Sequence, residues 1–449
     1  MGKKTLDLGQ TSVGRLFVEY FFPTLLSLMF SAILNVADGA FVGRGVGSDA
    51  LAAVNVAAPV FMMATGVGLM MGGGASVIGA INLSRGNKEK AGLCASQTLL
   101  TTFAVGTVIA TVVVIAPKQL CYIFGGSDVL LPYVTDYLRW LCLGMLCYGP
   151  MVAGMFIIRL DGSPRYAMMT NVVPALLNIV LDYLFVFPFG WGIGGAAFAT
   201  SISSAVGVLM LVVYFTFLAK DVRLVMPRLG RRERLQTLKE IWKMCKIGAP
   251  AMIGDFAISF MLIVGNYMFI KMLGEDGVAA FSVACYLMPM VFMFANSIAQ
   301  SSMPIVSYNH GCGQTGRVRK MFNLDIAVGI GAGIFVSLFT MFFGGDLAAV
   351  FLDTSTPAFA LAKEGLPQFA IGFTFLTLNV VLIGYFQSIE KSKAASVFMF
   401  LRGFVFVFLL SLIMPNLFGK IGLWITVPTS EVITLVLIIL SIKFKWARA

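Results

Sequence analysis

Four carboxylates stand inside long apolar stretches of this chain: Asp38, Asp182, Asp255 and Glu431. An acid at the centre of a membrane helix costs about 2.5 kcal/mol or more, so each marks a functional position. Asp182 follows Asn178 by four residues, which sets both on one helix face. A carboxylate and an amide oxygen make half a shell for a hard cation, or a relay for a proton. Thr200, beyond the glycine-rich turn at 190–195, returns a hydroxyl to the same depth. If Asp38 and Asp182 come within about 6 Å, they repel by about 2.8 kcal/mol at an effective dielectric near 20. Such a pair holds one proton or one metal cation between them. The competing reading is that each acid only accepts hydrogen bonds from neighbouring helices. For Asp255 and Glu431, which stand alone in the sequence, the two readings weigh equally.

The elements that must position these groups follow from composition. Of 449 residues 59% are hydrophobic and 12% charged, with a mean hydropathy of +0.91. A soluble protein carries about 25% charged residues, so the bilayer is the solvent for most of this surface. At about 20 residues per crossing, the apolar runs predict twelve transmembrane helices. They fall at 15–40, 50–82, 91–115, 130–158, 165–187 and 194–218, then at 240–270, 277–307, 318–340, 358–388, 394–415 and 422–442. The net charge of +11 is a topology signal and not a nucleic-acid site. With both termini cytoplasmic, all of the 32 Lys and Arg fall at the inner face except Arg44, Lys118, Arg139, Lys271, Lys363 and Lys420. Lys3 and Lys4 lead into a helix far longer than a signal-peptide core, so no cleaved leader is expected.

The chain reads as two related halves. Residues 1–218 form an N-lobe, 219–239 a basic cytoplasmic linker, and 240–449 a C-lobe. Between Lys220 and Lys246 lie Arg223, Arg228, Arg231, Arg232, Arg234, Lys239 and Lys243. Leu235, Leu238 and Trp242 recur among them at the spacing of an amphipathic surface helix. A shift of 227 lays Pro23 on Pro250, A-A-V-N-V-A (52–57) on A-A-F-S-V-A (279–284), Asn82 on Asn309 and Gly86 on Gly313. A shift of 228 lays 158–167 on 386–395. Six crossings separate the equivalents, so the repeats are parallel, and a substrate site is expected near the midplane. The acids are not copied: at a shift of 228 Asn178 meets Phe406, Asp182 meets Leu410 and Asp38 meets Asn266. This puts ion coupling in the first half.

Other residues carry less. His310, the sole histidine, falls in a loop, and Gly72, Gly73 and Gly74 suit close helix packing. Cys94, Cys121, Cys142, Cys147, Cys245, Cys285 and Cys312 are scattered and form no C-x-x-C pair. Some of the 26 methionines suit an adaptable apolar cavity. Asn35, Met155, Asp255 and Glu431 are the expected substrate-cavity residues. No P-loop, metal cluster or Ser/His/Asp set is present, so no cofactor and no enzyme activity are expected, and an ion gradient must supply the energy.

The stretches 36–55 (V-A-D-G-A-F-V-G-R-G-V-G-S-D-A-L-A-A-V-N), 159–168 (R-L-D-G-S-P-R-Y-A-M), 178–182 (N-I-V-L-D) and 192–200 (G-I-G-G-A-A-F-A-T) resemble the multidrug and toxic compound extrusion (MATE) transporters. The likeness is greatest to the prokaryotic branch with an N-lobe cation site. It implies an all-α membrane protein of two pseudo-symmetric six-helix lobes around a V-shaped cavity. It implies a monomer in the prokaryotic plasma membrane that exports cationic amphiphiles against H⁺ or Na⁺. It places the coupling cation, including a Na⁺ ion, at Asp38, Asn178, Asp182 and Thr200, with Tyr137 nearby, and a bend of the first helix at Pro23. Glu390 departs from the pattern where the first half has Gly162. The rivals are a lipid-linked precursor flippase or a dedicated metabolite exporter of the same superfamily.

Overall fold

The computed structural model describes residues 7–226 and 231–443, with only the backbone at Ser48 and at 231–234. Expectations resting on Lys3, Lys4, Arg228 and the side chains of Arg231, Arg232 and Arg234 lie outside the described residues. Every regular element among the described residues is a helix. The first half contains α1 (Val13–Gly45), α2 (Ser48–Ser84), α3 (Lys88–Ile115), a short α4 (Pro117–Ile123), α5 (Leu131–Leu160), α6 (Pro164–Val186) and α7 (Gly192–Val213), which ends in a π segment at Tyr214–Leu218. The second contains α8 (Arg231–Gly311), α9 (Thr315–Phe351), α10 (Pro357–Ser388), α11 (Ser392–Phe400), a π segment at Leu401–Phe406 and α12 (Val407–Lys443).

Among the described residues, ten helical stretches are long and apolar enough to cross a bilayer. Two are too long for one crossing: Leu235–Gly311 has 77 residues and Ser392–Lys443 has 52. Each breaks at one glycine, Gly274 (φ 67°, ψ −157°) and Gly419 (φ 57°, ψ −132°). The chain folds back there. Phe269 and Phe281 would be about 18 Å apart on a straight helix, yet their rings stack at 4.5 Å. Twelve crossings result, as the apolar runs predict.

The turns repeat with the sequence. The chain takes positive φ at Gly47 and Gly274, at Gly86 and Gly313, and at Gly192 and Gly419, each pair 227 apart. It does so again at Gly162 (φ 77°) and Glu390 (φ 61°), 228 apart. At Gly274 the angles lie in a region open to little but glycine. Glu390 holds a left-handed turn against the strain its Cβ creates. That is the structural consequence of its departure from Gly162.

Two compact units divide the chain. One takes the chain up to Gly248 together with Ser307–Gly313. The other takes Ala249–Val306 and the chain from Gln314 on. In the first, α2 and the start of α8 cross backbone to backbone: a Cβ on Gly74 would stand 2.1 Å from the Met244 carbonyl oxygen, and one on Gly248 1.7 Å from that of Met70. A Cβ on Gly72 would stand 2.9 Å from the Ala153 Cα of α5. The glycine run is therefore a helix crossing, as its composition predicts. After α7 the chain leaves the helix at Ala219, where Asp161 accepts the backbone N–H groups of Lys220, Asp221 and Val222 as well as the Tyr214 hydroxyl. Leu235, Leu238 and Trp242 then form an exposed apolar strip on α8.

Arg159 and Arg402, counted with the inner-face charges by sequence, are buried inside their units.

Candidate cation site

Two polar stripes meet along α1 and α6. On α1, Ser27, Ser31 and Asp38 follow at intervals of four and seven residues. On α6, Asn171, Asn178 and Asp182 follow at intervals of seven and four. Eleven residues are close to three helical turns, so each set lies on one face. The ends of the two stripes meet in register. The Asn171 amide donates to the hydroxyls of Ser27 at 2.9 Å and Ser31 at 2.8 Å, and to the Ser27 carbonyl at 3.2 Å. Three turns along, the carboxyl groups of Asp38 and Asp182 lie within hydrogen-bonding reach of one another.

Asp182 is fully buried. Asn178 sits one turn before it, and both ends of its amide are satisfied when the nitrogen faces Asp182. Nδ2 then donates to Asp182 Oδ2 at 3.0 Å, and Oδ1 accepts the Thr200 backbone N–H at 3.0 Å. The Thr200 hydroxyl, on α7, donates to the Ala196 carbonyl at 3.1 Å. That leaves its lone pairs for another donor or a cation. Tyr137 reaches the site from α5, buried and near enough to feel both carboxylate charges. The Oδ1 atom of Asp38 is shut off from solvent, and no N–H or O–H of the protein reaches it. A proton or a cation is what this atom lacks. The two carboxylates and the Thr200 hydroxyl offer oxygen donors, the chemistry of a hard cation, while the Asn178 amide, its oxygen taken by the Thr200 N–H, holds Asp182 in place. Among the described residues no three His, Cys, Asp or Glu gather as a softer metal would require.

α5 and α7 are tied beside this site. The Ser201 hydroxyl donates to the Trp140 carbonyl at 2.7 Å and accepts the Gly144 N–H at 3.0 Å. It therefore inserts into the α5 backbone ladder one residue after Thr200, a known cause of local helix bending. Pro23 lies buried within α1, where it withholds one backbone hydrogen bond. The remaining expected positions do not gather here. Asn35 is exposed on α1. Met155 is buried in a packed cluster with Ile158, Ala167, Leu211 and Tyr214.

In the second unit the expectation for Glu431 is corrected. It does not stand alone. Arg402 Nε donates to Glu431 Oε1 at 2.8 Å and Oε2 at 2.7 Å, and Asn379 Nδ2 donates to Oε2 at 2.8 Å. Both charged side chains are about 95% buried. Asp255 is half-buried on α8. Another buried acid escaped the sequence reading: Asp325 of α9 accepts the Ser302 hydroxyl at 2.6 Å. Ser27, Ser31 and Asn171 escaped it too, although their eleven-residue register with the acids was available as a signal.

A model of the MatE family matches residues 23–184 and 250–413, one block in each half. The multidrug export protein MepA of Staphylococcus aureus (strain MRSA252) is 24% identical over 424 residues, covering 92% of this chain and 90% of that one. Among solved structures, the outward-facing conformation of a multidrug resistance MATE family transporter of the MOP superfamily has a TM-score of 0.90 at 22% identity, over 100% of this chain and 98% of that one. A MOP superfamily transporter from Pyrococcus furiosus, whose binding pocket is described as reversed in polarity, has a TM-score of 0.88 at 22% identity, over 100% and 98%. These likenesses show the fold.

Proposed function

The chain belongs to the MatE family, and on that footing we propose that it is a secondary-active multidrug exporter in which H⁺ or Na⁺ exchanges for cationic amphiphilic compounds. The observation that carries this reading is the facing pair of Asp38 and Asp182, one of whose oxygens is buried without a donor. The Thr200 hydroxyl adds to the cation's oxygen shell, the Asn178 amide holds Asp182 toward it, and Tyr137 walls it. The protein works as a monomer in a prokaryotic plasma membrane, with both termini cytoplasmic.

The geometry supports coupling by exclusion. With neither proton nor metal bound, two like charges face each other in a poorly solvated space, and the site attracts a cationic substrate. Occupancy by the coupling ion neutralises the pair, allows α1 to draw against α6, and removes that attraction. A ligand shifts an equilibrium between two states only by its difference in affinity for them. Mutual exclusion supplies the difference. Pro23, four turns before Asp38 and short of one backbone bond, is where α1 yields as the pair closes.

The test is accumulation of a fluorescent cationic dye in cells expressing the chain, with a protonophore or a sodium ionophore added. Efflux should stop when one of the two gradients collapses, and that gradient names the ion. Efflux that persists with both collapsed would overturn the reading.

A further inference from the structure

The second half holds a buried polar cluster that ion coupling in the first half leaves unused. Asn379 comes from α10, Arg402 from the π segment Leu401–Phe406, and Glu431 from the second arm of α12. These are its fourth, fifth and sixth crossings. Their first-half counterparts are α5, α6 and α7, which carry Tyr137, Asn178 with Asp182, and Thr200. By the repeat shifts of 228 and 227, Arg402 falls on Pro174 and Glu431 on Ser204. Each lies four residues, one helical turn, from Asn178 and Thr200 respectively.

The two clusters differ in charge. The first has two carboxylates and, among the described residues, no cationic side chain bonded to either. The second has one carboxylate whose two oxygens both accept from the Arg402 guanidinium at 2.8 and 2.7 Å. The Arg402 side chain is boxed in by the Met399 sulfur at 3.6 Å and by the face of Phe292 at 5.4 Å. Its backbone lies in a π segment, a helix distortion frequent at functional sites. Asn379 Nδ2 bridges the Glu431 carboxylate and carbonyl, each at 2.8 Å, while its own buried Oδ1 has no donor.

We infer that Arg402 is a built-in counter-cation: its guanidinium fills, in the second half, the place that a coupling ion takes in the first, and so restricts ion exchange to one site per chain. The inference rests on the coupling role proposed for Asp38 and Asp182. An arginine cannot give up its charge in a protein and cannot leave. A carboxylate it neutralises is therefore closed to mobile ions. Removing it bares Glu431, with the Asn379 amide beside it, as a second carboxylate site for H⁺ or Na⁺.

Ion counting on the purified full-length protein tests this, by potentiometric proton uptake and tracer-sodium dialysis. Arg402→Met should bind one more cation per chain than the parent. The extra cation should persist when Asp38→Asn is added and vanish when Glu431→Gln is added. Glu431→Gln alone should leave the parental count unchanged. Two results would overturn the inference: no extra cation in an Arg402→Met protein that still melts cooperatively, or a lower count in Glu431→Gln alone. Should Arg402→Met fail to fold, the Glu431→Gln count decides by itself. If the first-half reading is wrong, Asp38→Asn keeps the parental count, while the extra cation of Arg402→Met still appears, so the two failures are told apart.

Discussion

Replacing Asp38 by asparagine removes one charge from the facing pair and changes almost no volume. The new amide can donate to Asp182, so α1 and α6 stay joined there, and Asn171 still ties them to Ser27 and Ser31. The loss is electrostatic. Carboxyl groups in hydrogen-bonding reach hold their charges about 4 Å apart, which at an effective dielectric of 20 is worth about 4 kcal/mol for each unit charge facing the other. A cation bound between them loses that much attraction when Asp38 is neutral. At about 1.4 kcal/mol per decade, its affinity falls about a thousandfold. Asp182→Asn should cost about the same, and the double variant, with no carboxylate left, should bind no cation measurably. Equilibrium cation binding and dye efflux from proteoliposomes provide the assay, with a thermal melt to confirm folding. A cation affinity within threefold of the parent in a folded Asp38→Asn protein would refute the pairing.

Gly74→Ala and Gly248→Ala should each destabilise by about 1–3 kcal/mol, since each Cβ would strike backbone rather than a mobile side chain. Thermal melts should show the double variant well short of the sum, because α2 and α8 separate only once. Gly162→Ala should lower the melting temperature and Glu390→Gly raise it or leave it level. The left-handed turn strains any Cβ by about 1–2 kcal/mol, against about 0.5–1 kcal/mol of added chain entropy for glycine. Between α9 and α10, the Ser355 N–H and hydroxyl both donate to Asp353 and hold its carboxyl below the usual range. Its contribution to the turn is therefore present above about pH 3.9, the unfolded value, and is lost as pH falls through the lower folded one. Amide exchange at Ser355 should stay slow at pH 5, and fast exchange there would contradict this.

The crossings were legible because the bilayer demands about 20 apolar residues for each, and nothing soluble imitates twelve such runs. The Asn178–Asp182 face was legible because four residues is a helical neighbour distance. The link from Asp182 to Asp38 spans 144 residues, and only repulsion between two stranded acids hinted at it. The pairing of Arg402 was hidden for a definable reason. A positive-inside count reads each arginine as belonging to its nearer loop, and ten residues from Ser392 is near enough to be drawn there. Its partner Glu431 lies 29 residues on, in the next crossing beyond the fold-back at Gly419, and apolar runs say nothing of which faces meet. Asp325 was hidden in the same way, close behind the basic cluster of Arg317, Arg319 and Lys320.

What the two halves repeat and what they do not repeat obey different constraints. The turn geometry recurs at four places, down to a positive φ at each, and at three of them glycine recurs as well. A backbone turn has few solutions, and glycine is the cheapest way into a left-handed one. The fourth place shows how firmly geometry governs: Glu390 keeps the conformation of Gly162 at the expense of strain. Polar chemistry is freer, because a buried carboxylate needs only some partner, and a proton, a metal ion or an arginine will each do. On the proposed coupling, the first half leaves the choice open between mobile partners, and the second half fills that place with Arg402. A chain whose halves both exchanged ions would then spend two per cycle, and one whose halves were both sealed would not be driven at all. One open and one sealed site is the arrangement by which the proposed exporter would couple a single ion to its repeated frame.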